Sequence, residues 1–326
     1  MASGYCYRAS ISSFSSWKKY IIRKVKELYI PFVVCNGIFV LLSNGFLNIG
    51  IYSNNPELLA ISTSWPVKQS LVQPLEPILL AKKLTAIFLF YGATQLGTAT
   101  WFLTSLFEVL FFNSLLELVI SIDKYKLRRS VLIALYGCML ILCQYISDKD
   151  IIGVRYAIKC FPACYISFML GRMVKKIRWK HFYSWRSGFL TFIILSIFSL
   201  FFHIEVSAGK VENVPIFFIA SLCGWICLRT FSGLILKTSL FTSKILQYIG
   251  RHTMPILCIH VLSFKAISLL YIFYMKKPVV YLAAWHIIFD INEIWKLLYM
   301  MAGVAIPIIL YRLYSSIANR VIIIKD

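Results

Sequence analysis

The sequence predicts an all-α integral membrane protein, a bundle of about eight transmembrane helices forming one polytopic domain over residues 1–326. Three observations carry that prediction. Apolar residues make up 60% of the chain and charged residues 14%, against about 25% charged in soluble domains, and mean hydropathy is +0.77. The apolar residues gather in runs close to the roughly 17–25 residues that cross a hydrocarbon core. Lysines and arginines cluster between those runs, as topology signals do. With the length used up by spans and short loops, no stretch remains to bury a separate soluble core.

Taken in order, residues 1–28 hold no apolar segment of signal-peptide type. They begin with Ser3-Gly4-Tyr5, pass through a serine-rich polar stretch and reach Lys18, Lys19, Arg23, Lys24 and Lys26. That reads as a cytoplasmic loop. Apolar runs follow at 29–48, 99–121, 130–146, 156–174, 187–204, 214–231, 254–274 and 297–314. Placing the first loop inside also places the basic clusters at 124–129, 172–186, 237–251 and 312–325 inside, so both termini are predicted cytoplasmic.

Residues 49–98 form the longest external segment, broken by Pro56, Pro66, Pro74 and Pro77. Its apolar piece, 78–91, contains Lys82 and Lys83 and reads as an interfacial or re-entrant helix rather than a ninth span. A second external segment, 275–296, carries Trp285, His286, Asp290, Glu293 and Trp295. Such residues can hold a polar substrate, but interface anchoring is the favoured reading of each.

A net charge of +21 raises the question of nucleic acid, yet no long basic run occurs. No nucleic-acid partner is expected. The clusters instead suit anionic lipid headgroups. The nine cysteines lie mostly within the runs and read as small reduced core residues. Cys160/Cys164 and Cys223/Cys227 have helical i, i+4 spacing, but no histidine or carboxylate is grouped with them to complete a metal site. No glycine-rich phosphate loop, zinc-protease motif or nucleophile elbow occurs.

Ionisable groups inside a membrane are costly, so each is a functional candidate. His260 lies on the seventh run at a depth of about 12 Å, and Glu108, entering from the opposite surface, reaches similar depth. The pair matches a general base and its orienting carboxylate. The competing reading makes both helix-packing groups, bonded to a backbone carbonyl or to Asn36, Asn113 or Ser263. Glu117 is expected to pair with loop cations, and Lys265 to snorkel outward. The turn Arg23-Lys24-Val25-Lys26 can grip phosphates, although its plain reading is a positive-inside signal.

Several separated pieces point the same way. They are Ser3-Gly4-Tyr5, the basic loop ending Leu28-Tyr29-Ile30-Pro31-Phe32, Trp101-Phe102-Leu103, Phe168-Met169-Leu170-Gly171-Arg172-Met173-Val174-Lys175-Lys176, and Tyr248-Ile249-Gly250-Arg251-His252-Thr253 leading to His260. In this order the chain resembles the integral-membrane acyltransferase 3 family, and within it the fucose 4-O-acetylase-like acetyltransferases of bacterial surface glycans. The resemblance implies ten membrane helices in the bacterial cytoplasmic (inner) membrane and acetyl-CoA used as acyl donor from the cytoplasm. The acetyl group would pass to a sugar hydroxyl of a polysaccharide or its lipid-linked precursor. Arg23, Lys24 and Lys26 would then hold acetyl-CoA, Trp101 would meet the substrate near the external end of its span, and His260 and Glu108 would serve catalysis.

The chain also departs from the family pattern. There the Ser-Gly-Tyr piece follows the second helix, and the first helix carries the histidine regarded as essential. This sequence begins after both, so the expectation is a chain N-terminally truncated relative to the family, either through a start assigned too late or as a truncated copy. Glu27 stands where the family commonly has Arg or Lys. The rival readings are a glycan polymerase, a lipid-linked-sugar flippase, or a catalytically inactive truncated copy.

Overall fold

The computed structural model describes residues 1–8, 11–56, 71–122, 128–148, 156–176, 184–202, 206–207, 210–211, 213–288 and 291–323. Pro66 and Asp290 lie outside the described residues. The helices in chain order are α1 (Ala2–Cys6), α2 (Phe14–Lys24), α3 (Ile30–Leu41), α4 (Ser43–Asn48), α5 (Pro77–Phe88), α6 (Trp101–Ile122), α7 (Arg128–Asp148) and α8 (Tyr156–Lys176). They continue with α9 (Trp185–Phe201), α10 (Val214–Thr238), α11 (Leu240–Arg251), α12 (Thr253–Met275) and α13 (Glu293–Ile323). A two-residue hairpin pairs Val206–Ser207 with Lys210–Val211.

All eight apolar runs are helical, so the all-α membrane class holds. Among the described residues, four stretches are long and apolar enough to cross a membrane: Thr98–Val119, Val214–Thr238, Thr253–Met275 and Glu293–Ile317. Two shorter apolar helices, Ala134–Ile146 and Trp185–Phe201, accompany them. The first run differs from expectation. A turn at Leu42 splits it into α3 and α4, and twelve residues of α3 extend only about 18 Å. Pro31 lacks the N–H that would bond back to the Glu27 carbonyl, and the helical bonding opens there into a π-turn over Val25–Tyr29.

The serine-rich N-terminal loop is in fact two helices. Ser13 caps α2 by accepting from the Ser16 backbone N–H at 3.3 Å, and the Ser16 hydroxyl takes the Ser13 N–H at 3.1 Å. That capping box starts a helix that composition alone conceals. The piece expected to be interfacial is the twelve-residue α5, with Pro77 in its first turn.

The chain groups into two units. The first comprises Met1–Tyr29 and Trp101–Ile245. Its centre is α8, which packs against α1, α6 and α7. Tyr165 is fully buried between Phe112, 5.3 Å away edge-on, and Phe161, stacked at 5.7 Å. Two glycines let α1 approach α8. A Cβ on Gly4 would lie 1.7 Å from the Phe168 carbonyl oxygen, and one on Gly171 would lie 2.0 Å from the Met1 carbonyl oxygen. Alongside, α9 lies on α10, where a Cβ on Gly188 would meet Thr230 at 2.7 Å. The outward side chains of α9 are Phe189, Leu190, Phe192, Ile197, Leu200 and Phe201, a face suited to hydrocarbon and not to water.

The second unit comprises Ile30–Thr100 and Leu246–Asp326. Here α12 pairs with α13, and Gly303 makes room for the Phe264 ring, which a Cβ would meet at 2.5 Å. Asn36, fully buried, knits α3 to the segment before α6. It donates to Thr100 Oγ1 at 2.8 Å and to the Phe32 carbonyl at 3.0 Å, and it accepts from the Thr94 N–H at 2.8 Å. The segment after α12 is not an unpacked loop. It folds back, so that Leu282, Ala284 and Ile288 join Ile267, Tyr271 and Tyr299 in one core.

Gly4→Ala and Gly171→Ala should each destabilise the detergent-solubilised protein by about 1–3 kcal/mol or more, because carbonyl groups cannot yield to the new methyl. Gly224→Ala, whose Cβ meets nothing within 4 Å, should raise the midpoint slightly, by about 0.5–1 kcal/mol of helix propensity. Thermal unfolding of the three variants checks the contrast.

Candidate functional site

In the first unit a cleft of about 800 Å3 opens between α1, α2 and α6, a volume within the range of ligand sites. Leu106 and Leu110 of α6 line it, with Tyr7 and Tyr20. Four cations converge on it: Arg8, Lys19, Arg23 and Lys24. Lys19 and Arg23 share one face of α2 by their i, i+4 spacing. Two of the three expected donor-binding cations are therefore at the cleft. Lys26, on the π-turn, is not among its lining residues. Arg8 and Lys19 join Arg23 and Lys24 there, because the fold brings the segment after α1 beside α2.

Glu27 does not act as a cation, but it reaches both neighbours. Arg23 Nε lies 3.8 Å from its Oε1, and Lys24 Nζ pairs with its Oε2. These exposed pairs are weak. A polyanion can displace them.

Behind the cleft the helices are tied by a charged network. Arg172 of α8 pairs with Glu117 at 2.7 Å and donates to Asn113 Oδ1 at 2.7 Å, both on α6. Its guanidinium also lies over the Tyr7 ring, 5.0 Å from the centroid. The Tyr7 hydroxyl donates to Glu117 at 3.1 Å, and Lys175 donates to the Tyr7 carbonyl at 2.7 Å. Glu117 thus pairs with a basic-cluster residue, as expected, though one that lies on a helix. Burial first, then the Glu117 carboxylate, pushes the Tyr7 phenol well above its ordinary range. Burial likewise pushes Tyr20 up to about 12. Both remain neutral hydroxyls at the cleft wall.

Glu108 is half-buried on α6. Leu106 and Leu110 share the cleft face at i, i+4, which turns Glu108 to the opposite side of that helix, where its carboxylate is within electrostatic reach of Cys164 on α8. Trp101 opens α6, half-buried and edge-on to Phe102 at 6.3 Å.

His260 belongs to the second unit, on α12. Its Nδ1 lies 2.9 Å from the Ile256 carbonyl. A carbonyl only accepts, so in the neutral ring Nδ1 carries the proton and Nε2 the lone pair. The ring stands edge-on to Phe264 at 5.4 Å, and Phe264 stands edge-on to Tyr299 at 5.7 Å. The Asn36 and Ser263 considered as partners bond elsewhere, Ser263 to the Ile259 carbonyl at 3.1 Å.

Lys265 corrects an expectation. It does not snorkel outward: it is 6% exposed, and its Nζ donates to the carbonyls of Leu282 at 3.0 Å and Ala284 at 2.6 Å. The returning segment supplies these carbonyls at short range, which is cheaper than extending the side chain through apolar surroundings. That segment also brings in His286, whose burial, reinforced by Lys265 and His260, pulls its imidazole down to about 4. Trp295 packs on Tyr271 at 5.1 Å, and Glu293 pairs with Lys296 at the exposed start of α13.

The pattern of known families decides what kind of protein this is. The Acyltransferase domain of the acyltransferase 3 family matches residues 1–312. The chain belongs to that family. It is therefore a multi-pass membrane acyltransferase. No curated protein and no solved structure matches the chain. Gly4 and Gly171 of the resembling motifs are the contact of α1 with α8, and Arg172 of the same motif anchors the network behind the acyltransferase's basic cleft.

Two outcomes follow for the acyltransferase. Arg172→Met, which strands Glu117, should cost about 1–3 kcal/mol, and adding Glu117→Gln should recover most of it in a double-mutant cycle of thermal stabilities. Because the His286 pKa is lowered in the folded state, its stabilising contribution is full above about pH 6.5 and is lost as pH falls towards about 4. His286→Gln should flatten that part of the stability–pH curve.

Proposed function

We propose that this acyltransferase moves an acetyl group from acetyl-CoA to a sugar hydroxyl of a cell-surface polysaccharide or its lipid-linked precursor. It would act at the bacterial cytoplasmic membrane, with both ends of this chain on the cytoplasmic side. The observation that carries the donor half is the cleft with Arg8, Lys19, Arg23 and Lys24 on its walls. Coenzyme A presents a diphosphate and a ribose phosphate, and converging cations meet such groups by charge-assisted hydrogen bonds. Lys24, at 20% side-chain exposure, is the better sheltered of the pair held by Glu27. The acceptor half rests on the family and on the resemblance to fucose 4-O-acetylase-like enzymes.

In the reaction the acceptor oxygen forms a bond to the acetyl carbonyl carbon and the carbon–sulfur bond of the thioester breaks. The hydroxyl proton passes to the base and then to the departing thiolate of coenzyme A. His260 is proposed as a base, since its Nδ1 bond to Ile256 leaves the Nε2 lone pair for that proton. Glu108 would support catalysis by its charge, and Trp101 would contact the substrate at the start of α6.

Purified protein, assayed with radiolabelled acetyl-CoA and host surface glycan, tests the reading. Arg23→Glu combined with Lys24→Glu should raise the half-saturating acetyl-CoA concentration about tenfold or more, each lost charge-assisted contact being worth about 1.5–3 kcal/mol. Glu27→Gln should move it the other way, and Lys26→Glu should leave it nearly unchanged. His260→Ala should lower the maximal rate by about 10²–10⁴. Unaltered acetyl-CoA saturation in the charge-reversed protein would sink the cleft as donor site, and a wild-type rate in His260→Ala would return that residue to packing.

A further inference from the structure

The second unit holds a group of polar residues that the donor cleft does not use. After α12 the backbone reverses at Lys276, which is left-handed with φ 51°, and a 3-10 turn runs over Val279–Ala283. The Lys265 ammonium then fixes the returning strand of chain through the Leu282 and Ala284 carbonyls. Lys265 lies ten residues before the end of α12, so the connection doubles back about 15 Å along that helix. It returns close to the level of His260, only five residues further along α12.

His286, two residues beyond Ala284, sits at this point. Its φ is +54°, in the left-handed region that few residues other than glycine adopt, histidine more often than most. Its Nε2 is buried and has no hydrogen-bond partner among the described residues. Buried polar atoms in native proteins are nearly always bonded. The left-handed backbone and the unbonded nitrogen meet at this one histidine, and the nitrogen keeps its hydrogen-bonding capacity for a ligand group. The ring lies 4.8 Å from that of Trp285, and both His260 and Lys265 are within electrostatic reach.

The chemistry of the cluster selects the ligand. Lys265 already serves two carbonyls, and no carboxylate pairs with it among the described residues, so the cluster offers a cation no anionic ligand. A neutral imidazole offers one donor or one lone pair at Nε2, the complement of a hydroxyl. Trp285 adds an apolar face of the kind on which the C–H side of a sugar ring rests.

We propose that His286 contacts the acyl acceptor, its Nε2 hydrogen-bonding a hydroxyl of a sugar that lies against Trp285. This inference rests on the glycan-acceptor reading given above. His286 holds one hydroxyl of the sugar while His260 serves another. Lys265 is a positioning residue that holds the segment in place.

Two measurements on the full chain in detergent test it. In the first, acetyl transfer is followed at varied glycan and varied acetyl-CoA. His286→Ala should raise half-saturation by glycan about tenfold, the worth of a buried hydrogen bond to substrate, with half-saturation by acetyl-CoA unchanged. His286→Gln, which keeps an amide nitrogen near the Nε2 position, should recover most of the difference. Unchanged glycan saturation in His286→Ala overturns the proposal. So does an equal shift for both substrates, with a lowered melting temperature and no rescue by Gln.

In the second, free L-fucose is titrated while tryptophan emission is recorded. The wild type should respond, and both Trp285→Phe and His286→Ala should lose the response. A silent wild type overturns the contact. A fucose response at Trp285 in a protein that acetylates no glycan would defeat the functional reading and leave the sugar contact standing.

Discussion

A charge carried on a helix among apolar neighbours must find its partners within the chain, because neither hydrocarbon nor a packed core will solvate it. In the first unit that requirement falls on Arg172. It draws together Glu117 and Asn113 from α6 and the Tyr7 ring from the N-terminal segment. In the second unit it falls on Lys265, whose ammonium is answered by two backbone carbonyls. Each cation needs several groups at once, so each fixes the position of a segment that has few hydrophobic contacts of its own. The basic cleft depends on the first arrangement and the returning segment after α12 on the second.

Close approach supplies the rest of the cohesion. Apolar helices in lipid gain little by burying apolar surface, and they associate through backbone proximity and van der Waals contact. Gly4 and Gly171 allow α1 onto α8, Gly188 allows α9 onto α10, and Gly303 admits Phe264 between α12 and α13. The last contact sets the ring against which His260 stands. Helix packing and the orientation of a candidate base are therefore one problem in the second unit.

Periodicity and hydropathy are local properties, and what they control was legible in the sequence. The eight runs are helical, the first of them interrupted at Leu42, and the piece around Lys82 and Lys83 is a separate short helix. What depends on chain reversal was hidden. The burial of Lys265 is not visible locally, because its acceptors are 17 and 19 residues away. His286 sat in a segment whose tryptophans and carboxylates suit an interface, and only the doubling back of that segment buries it. The convergence of Arg8 and Lys19 on one cleft is hidden for the same reason, since it needs the segment after α1 to lie beside α2. The capping box at Ser13 and Ser16 is by contrast a local signal.

The two candidate sites differ in kind, and the difference matches the two demands of the proposed reaction. A phosphate-bearing donor needs fixed cations in partial contact with water, where Arg23 and Lys24 can exchange Glu27 for a ligand at small cost. A base that takes a hydroxyl proton needs a neutral imidazole, and donor phosphates beside it would favour the protonated ring. The first unit carries its titratable cations on the walls of an open cleft. The second carries histidines next to a buried lysine, whose positive field opposes protonation of His286. A converging set of cations and a histidine whose charge is opposed are thus two separate answers to the two requirements of the proposed reaction.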